Sequence, residues 1–598
     1  NGNIIVNAVP GTEQTVSQAG STPTVDNNPV ITSSGTTINT VTITAAENAT
    51  ANVTLENVDI DTSATGKAAI TTSGQGNVNI ELDGTNTVHS GTNHAGVEKN
   101  STGTLTIKDE KNNKGSLTAT GGYRGAGIGG GEGGSGSNIT IEGGEVTATG
   151  GRWAAGIGGG EDGNGSHITI EGGKVTATGG KSGAGIGGGN NDNNVSNIGK
   201  GEHITIKDGK VTATGGDGAA GIGGGFAGAG SDITVSGGNV TANGGEDGGA
   251  GIGSGHNAGS NGATNIKIEG GGVTAQGGEN GAGIGGGQRG SGNEIKIEDG
   301  KVTANGGKNA AGIGGGNRSD PSNKRGNGSN IEISGGEVTA NGGEQGAGIG
   351  GGNGGNGTGI TVSGGEVTAT GNGVRDISGA ISNSGAGIGG GAGGSGSQIT
   401  IKNGKVEATG NNYGAGIGGG RGGTGSEIKI EGGNVKAQGG WSGAGIGGGG
   451  GNGGSDIAVS GGEVTAKGGT YGAGIGGGGD GGAVKNININ GGNVTAQGGR
   501  AGAGIGGGLR SKGSEITISG DAQVKAQGGE VTNAFMEGAA IGNGGTGTQK
   551  GAELDINQVA SGLSVDGFIQ KYKPGDNIDT ATPESSTNGK TGDHSWDK

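Results

Sequence analysis

Cysteine is absent from this chain of 598 residues, which removes disulfide staples and thiolate metal chemistry at once. Aromatic side chains are nearly absent too, with 3 Trp, 4 Tyr and 3 Phe, so no conventional globular core of that length can be assembled. Only 6 prolines occur and no Gly-X-Y period runs through the chain, which excludes a collagen triple helix. Basic residues number 37 against 53 acidic ones, for a net charge of −16. That balance offers no cationic footprint for a phosphate backbone, so no nucleic-acid partner is expected. No uninterrupted apolar stretch is long enough for a transmembrane segment. The opening NGNIIVNAV reads as a mature start rather than a secretory signal, and the closing SWDK shows no sortase-type anchor.

Glycine is what the chain does have, in 170 positions. Glycine loses more backbone freedom on ordering than any other residue, so disorder is the first reading to test. Repetition argues against it. The motif GAGIGGG, or a close version, recurs with its central isoleucine at Ile128, Ile157, Ile186, Ile222, Ile252, Ile284, Ile313, Ile349, Ile388, Ile417, Ile446, Ile475 and Ile505. A degraded copy places Ile541 in the same role, and weaker copies center on Ile70 and Val97. The commonest spacing is 29 residues.

Other apolar residues keep step with this ladder. Ile128 is followed by Ile139 and Ile141, then Val146 and Ala148; Ile157 is followed by Ile168, Ile170, Val175 and Ala177. A separation of two puts each pair on one face of a strand. One repeat therefore reads as three short strands, centered on A-G-I, I-T-I and V-T-A, with threonines outward and Gly-Gly making a corner at positive φ. So few inward side chains cannot stabilise an isolated coil, so coils must stack. The expected fold is all-β, a parallel β-helix with a small three-strand cross-section and short Gly-rich turns, right-handed by the general bias of parallel crossovers. Glycine strings disfavour a helical reading. Locally, IEGGEV also resembles an antiparallel hairpin, which the fixed coil length and the third element speak against.

Three regions follow: residues 1–60 as a β-rich cap or assembly segment, 61–550 as the repeated β-helix, and 551–598 as a β segment with a polar tail. Residues 41–43 and 53–60 suggest further N-terminal rungs, and Phe568 is available for a terminal hydrophobic contact. Insertions around 190–202, near Pro321 and across 372–384 should project as loops, either as binding surfaces or as tolerated variation. An uncapped solenoid exposes strand edges and favours homopolymerization head to tail; a capped stalk fits the repeat equally well.

No catalytic constellation stands out, and no enzymatic activity is expected. Acidic residues sit mostly at variable turns, whereas hydrolysis or elimination needs a localised acid/base set. The six histidines are dispersed and read as solvated polar groups rather than a metal site. The repeated GIGGG lacks the Lys-Ser/Thr and strand-to-helix setting of a phosphate loop, and the calcium repeat GGxGxDxUx is missing. No cofactor is expected, with calcium at scattered Asp/Asn loops the only candidate. Tyr123, Trp153, Tyr413, Trp441 and Tyr471 all precede a ladder isoleucine by four or five residues. Stacking would gather them on one edge in two groups, either to pack on sugar rings or to cover a glycine-rich corner. Outward threonines in VTATGG suggest an ice-binding array, but Asn, Gln and Ala interrupt its uniformity.

GAGIGGG followed by SNITIEGGEVTATGG, together with SEIKIEGGNVKAQGG, resembles glycine-rich repeat proteins of bacterial surfaces of the carbohydrate-binding-domain-containing type. The likeness covers about residues 61–550. It implies secretion to the bacterial cell surface, a β-helical architecture and attachment to glycans. The leading expectation is a non-enzymatic extracellular structural or adhesive protein, including a filament subunit. A carbohydrate-binding module and a polysaccharide lyase or hydrolase are the alternatives.

Overall fold

A computed structural model describes residues 2–111, 114–190, 199–258, 262–317, 326–373, 384–529, 536–554, 563–565, 567–588 and 593–594. The chain divides into two compact units, Asn1–Gly290 and Ser291–Lys598. Within each, every repeat contributes one strand to each of three parallel sheets, as the inward pairs require.

In the first unit the ladder isoleucines Ile128, Ile157, Ile186, Ile222, Ile252 and Ile284 are successive partners in the first sheet. Ile139 and Ile141 oppose Ile168 and Ile170 in the second sheet, and Val146 and Ala148 oppose Val175 and Ala177 in the third. All of these side chains are fully buried. In the second unit Ile313, Ile349, Ile388, Ile417, Ile446, Ile475, Ile505 and Ile541 repeat the arrangement. Full burial of such side chains stabilises each rung by roughly 2–3 kcal/mol per isoleucine, but only once a neighbouring rung covers it. The two halves of IEGGEV enter different sheets, so the hairpin alternative is not what forms.

The first strand is shorter than A-G-I suggests: it comprises Ile157–Gly158 alone, with Ala155 buried on the approach. Gly158 adopts φ +134°, and a Cβ there would lie 2.0 Å from the carbonyl oxygen of Gly187 on the next rung. Glycine is thus required both by conformation and by contact, and the chain turns immediately after it. At the Gly-Gly corner it is the second residue that takes positive φ, as at Gly144 (+81°).

The N-terminal residues close one end. β1 (Ile4–Ala8) runs parallel to β5 (Val41–Ala45), but β2 (Thr15–Gln18) returns antiparallel on its other side, followed by antiparallel β3 (Thr24–Val25). Parallel rungs begin before residue 60, with β4 (Val30–Thr32) against β6 (Thr50–Glu56) and β7 (Asp59–Asp61) in the third sheet. At the other end Phe568–Tyr572 extends the third sheet in parallel, and Ser585–Asn588 and then Asp593–His594 add to it antiparallel. Phe568 is half-buried opposite the exposed Gln523, while Ile569 takes the inward place opposite Val524. The three expected insertion loops lie largely at 191–198, 318–325 and 374–383, outside the described residues.

Candidate functional site

Because the first strand has only two residues, the turns on either side of it come together at one corner. The link is a backbone hydrogen bond repeated from rung to rung. Asn190 N donates to Trp153 O (2.8 Å), Gly450 N to Tyr413 O (2.7 Å) and Leu509 N to Tyr471 O (2.8 Å). Side chains that precede a ladder isoleucine therefore lie over the turn that follows the next one.

The five aromatic residues singled out in the sequence all occupy this corner, in two groups. In the first unit Tyr123 and Trp153 meet edge to face at 6.4 Å. In the second, Trp441 contacts Tyr413 at 5.8 Å and Tyr471 at 4.7 Å, with interplanar angles of 90° and 71°. Cations cover these rings: the Arg152 guanidinium lies 4.8 Å from the Trp153 centroid and Arg421 lies 5.1 Å from Tyr413. Tyr413 Cδ1 would be 2.6 Å from a Cβ on Gly450, so its ring rests directly on the glycine turn. Steeply inclined rings that pack on one another and on backbone do not form one flat stacking platform. Arg124 joins Glu132 and, at 3.0 Å, Glu161 along the same corner.

Sequence reasoning missed a third stack here. Phe226 and His256 follow Ile222 and Ile252 by four residues each, and their rings meet at 5.3 Å. That common offset was visible in the sequence. Burial holds the His256 pKa below the ordinary imidazole value, opposed by a contact with the Asp247 carbonyl.

Other polar ladders surround the core. The residue before the first inward isoleucine of the second sheet is left-handed on rung after rung, as at Asn138, His167, His203 and Asp232 (φ 53–55°). Pairing skips this position on both partners, leaving one unpaired residue in each of these strands. The signal was its restricted alphabet of Asn, Asp, His, Glu and Gln, with one Gly at 359, several of which tolerate this conformation best. His167 and His203 consequently stack at 4.7 Å, and His203 Nδ1 approaches Asp232 at 3.7 Å. His89 lies 3.7 Å from Asp61 and His94 bonds Glu98 at 2.7 Å. Among the described residues no group of three or more His, Cys, Asp or Glu is placed to hold a metal ion.

On two rungs another residue takes the place of glycine after the ladder position, Thr71 after Ile70 and Glu98 after Val97. HAGVEKN puts Glu98 opposite Gly129 and Lys99 opposite Thr72, and both side chains are buried. Glu98 accepts from Ala95 N (3.1 Å) and Asn100 Nδ2 (2.8 Å). Lys99 Nζ donates to the Ser101 carbonyl at 2.6 Å, and burial pushes its pKa down to about 8.

The family model described as Beta helix repeat matches fourteen segments between residues 112 and 545, from 112–132 through 516–545, which together make up more than half of the chain. Neither the curated proteins nor the solved structures contain a match to this chain.

Proposed function

The chain belongs to the Beta helix repeat family, and from that premise we propose that it is a non-enzymatic structural or adhesive scaffold, displayed outside the cell on a bacterial surface. The observation that carries this reading is the unbroken register of equivalent side chains from rung to rung within each unit. The outer face is tied as regularly as the core. Lys174 bonds Glu145 at 2.5 Å, Lys301 bonds Glu337 at 2.7 Å and Lys405 bonds Glu366 at 2.5 Å, each joining opposed positions of neighbouring rungs. Such exposed pairs contribute little individually, yet they fix long side chains on a polar surface.

Antiparallel strands follow the parallel ones on the first sheet near residue 15 and on the third sheet near residue 585, a change of pairing direction that speaks against simple continuation of the parallel stack on those two sheets. The aromatic corner supports a covering role for its five residues rather than a sugar platform. The deciding experiment incubates the full chain with a panel of surface polysaccharides and measures new reducing ends and unsaturated products. No product is expected above a heat-inactivated control, and depolymerisation of any substrate would overturn the non-enzymatic reading. Light scattering across a concentration series is expected to show no polymer; reversible growth would restore the filament.

A further inference from the structure

We propose that Asn403, at the glycine corner between the second and third sheets, is a self-modification site: it cyclises onto the nitrogen of Gly404 and ends as isoaspartate or aspartate. Asn is followed by Gly at many places in this chain. Glycine carries no side chain to shield its own nitrogen, so every such pair is open to the same intramolecular attack unless the fold withholds that nitrogen.

The ladder withholds it at the ends of the third-sheet strands and at the turns before the second sheet. In the pair Asn243–Gly244 the Gly244 N donates to Gln276 O at 2.8 Å, and in Asn305–Gly306 the Gly306 N donates to Asn341 O at 2.8 Å. Gly342 N, after Asn341, donates to Thr370 O (2.8 Å), and Gly357 N, after Asn356, donates to Ser395 O (2.9 Å). Each bond crosses to the next rung and must break before the nitrogen can turn on its neighbour. At Asn452 the side chain itself is held, with Nδ2 donating to Gly422 O at 2.6 Å.

The corner lacks this hold. Most rungs turn there on two glycines, as at Gly143 and Gly144, but three put an acid or amide before the second glycine: Asp208–Gly209, Asp299–Gly300 and Asn403–Gly404. The three glycines share one conformation, with φ of +98°, +99° and +98°. In both Asp pairs the Oδ1 atom lies 2.7 Å from the following glycine nitrogen, so a side chain at this corner reaches that nitrogen with the backbone already in place. Asn403 is exposed, and among the described residues neither its side chain nor Gly404 N has a hydrogen-bond partner. Asn490–Gly491 also has a nitrogen without an acceptor, but Gly491 is buried away from the water that must take its proton.

Water is the only reagent the step consumes. Gly404 N gives up its proton to water and bonds to Asn403 Cγ, while the Cγ–Nδ2 bond breaks and Nδ2 leaves as ammonia, closing a cyclic imide. Water then opens the ring. Cleavage at Cγ gives aspartate, and cleavage at the main-chain carbonyl gives isoaspartate, with the chain now running through Cγ. Either product adds a negative charge to the corner. The two Asp pairs must expel a carboxylate oxygen, a poorer leaving group, and should lag.

The test incubates the full chain in mildly alkaline heavy-oxygen water, folded and in denaturant, and maps peptides by mass spectrometry. In the folded chain Asn403 should take up heavy oxygen and yield isoaspartate about tenfold faster than Asn243, Asn305, Asn341 or Asn356, the scale of one backbone hydrogen bond. In denaturant the five should convert at similar rates. Asn403→Gly, which restores the ordinary corner, should abolish the acidic species that otherwise accumulates on ion exchange. The proposal is overturned if the ladder pairs keep pace with Asn403 in the folded chain, if Asn403 stays intact while the denatured chain converts it, or if Asn490 converts first.

Discussion

Replacing Lys99 by methionine should stabilise the protein at neutral pH, and the gain should vanish as the pH rises. Lys99 is 4% exposed, in the strand Val97–Lys99 of the first sheet, with the Ser101 carbonyl as the partner of its ammonium. The Glu98 carboxylate beside it is engaged by His94, Ala95 and Asn100. Burial without a counter-ion lowers the pKa from 10.5 to about 8, which corresponds to about 3 kcal/mol withheld from the charged form. Below the folded pKa both folded and unfolded chains carry the proton, so the whole penalty applies. Between about 8 and 10.5 the folded chain releases its proton first, so stability rises with pH through that window. Methionine is one heavy atom shorter but unbranched and apolar, so it fills most of the same space without the charge, at the loss of one hydrogen bond worth about 1 kcal/mol. Lys99→Met should therefore gain about 2 kcal/mol at neutral pH. The assay is thermal unfolding of both proteins followed by circular dichroism from neutral pH to above the ordinary lysine pKa. The difference between the curves isolates Lys99 from other titrating groups. A difference that does not change with pH, or a variant weaker throughout, would refute the reasoning.

Gly158→Ala should cost at least about 2 kcal/mol by strain and contact with the next rung, whereas Gly133→Ala, at positive φ but with nothing within 4 Å, should cost less; denaturant unfolding compares them. His256, held neutral by burial against Phe226, has a folded pKa below its unfolded value. Stability should therefore fall as pH drops below the ordinary imidazole value of 6.5, and a His256→Gln variant should lose that dependence in the same melting experiment. Trp441→Ala removes the ring shared by Tyr413 and Tyr471 and should cost about 1–2 kcal/mol of stability; unaltered melting would contradict a covering role.

The repeat was legible because each rung must solve the same packing problem with the same residues. A period of two within strands and a coil of 29 residues identify the inward positions Ile139, Ile141, Val146 and Ala148, and burial of those side chains depends on nothing beyond the adjacent rungs. The aromatic corner was legible in part, since a common offset from the ladder gathers Tyr413, Trp441 and Tyr471. Their mutual tilt was not, because it is set by how each ring settles on the glycine turn beneath it.

The sequence by itself determined the parallel stack, its three-strand cross-section and its glycine corners, since these follow from local period and backbone permission. Tertiary structure alone decided what depends on distant segments meeting. It made the first strand only Ile–Gly, because the carbonyl of the next rung leaves no room for a side chain at Gly158. It turned the two ends antiparallel, a choice of pairing partner that no local pattern encodes. And it folded residues near Ile578 back over the third sheet, where Gln527 holds them, so that a polar surface of ordinary composition became a cleft.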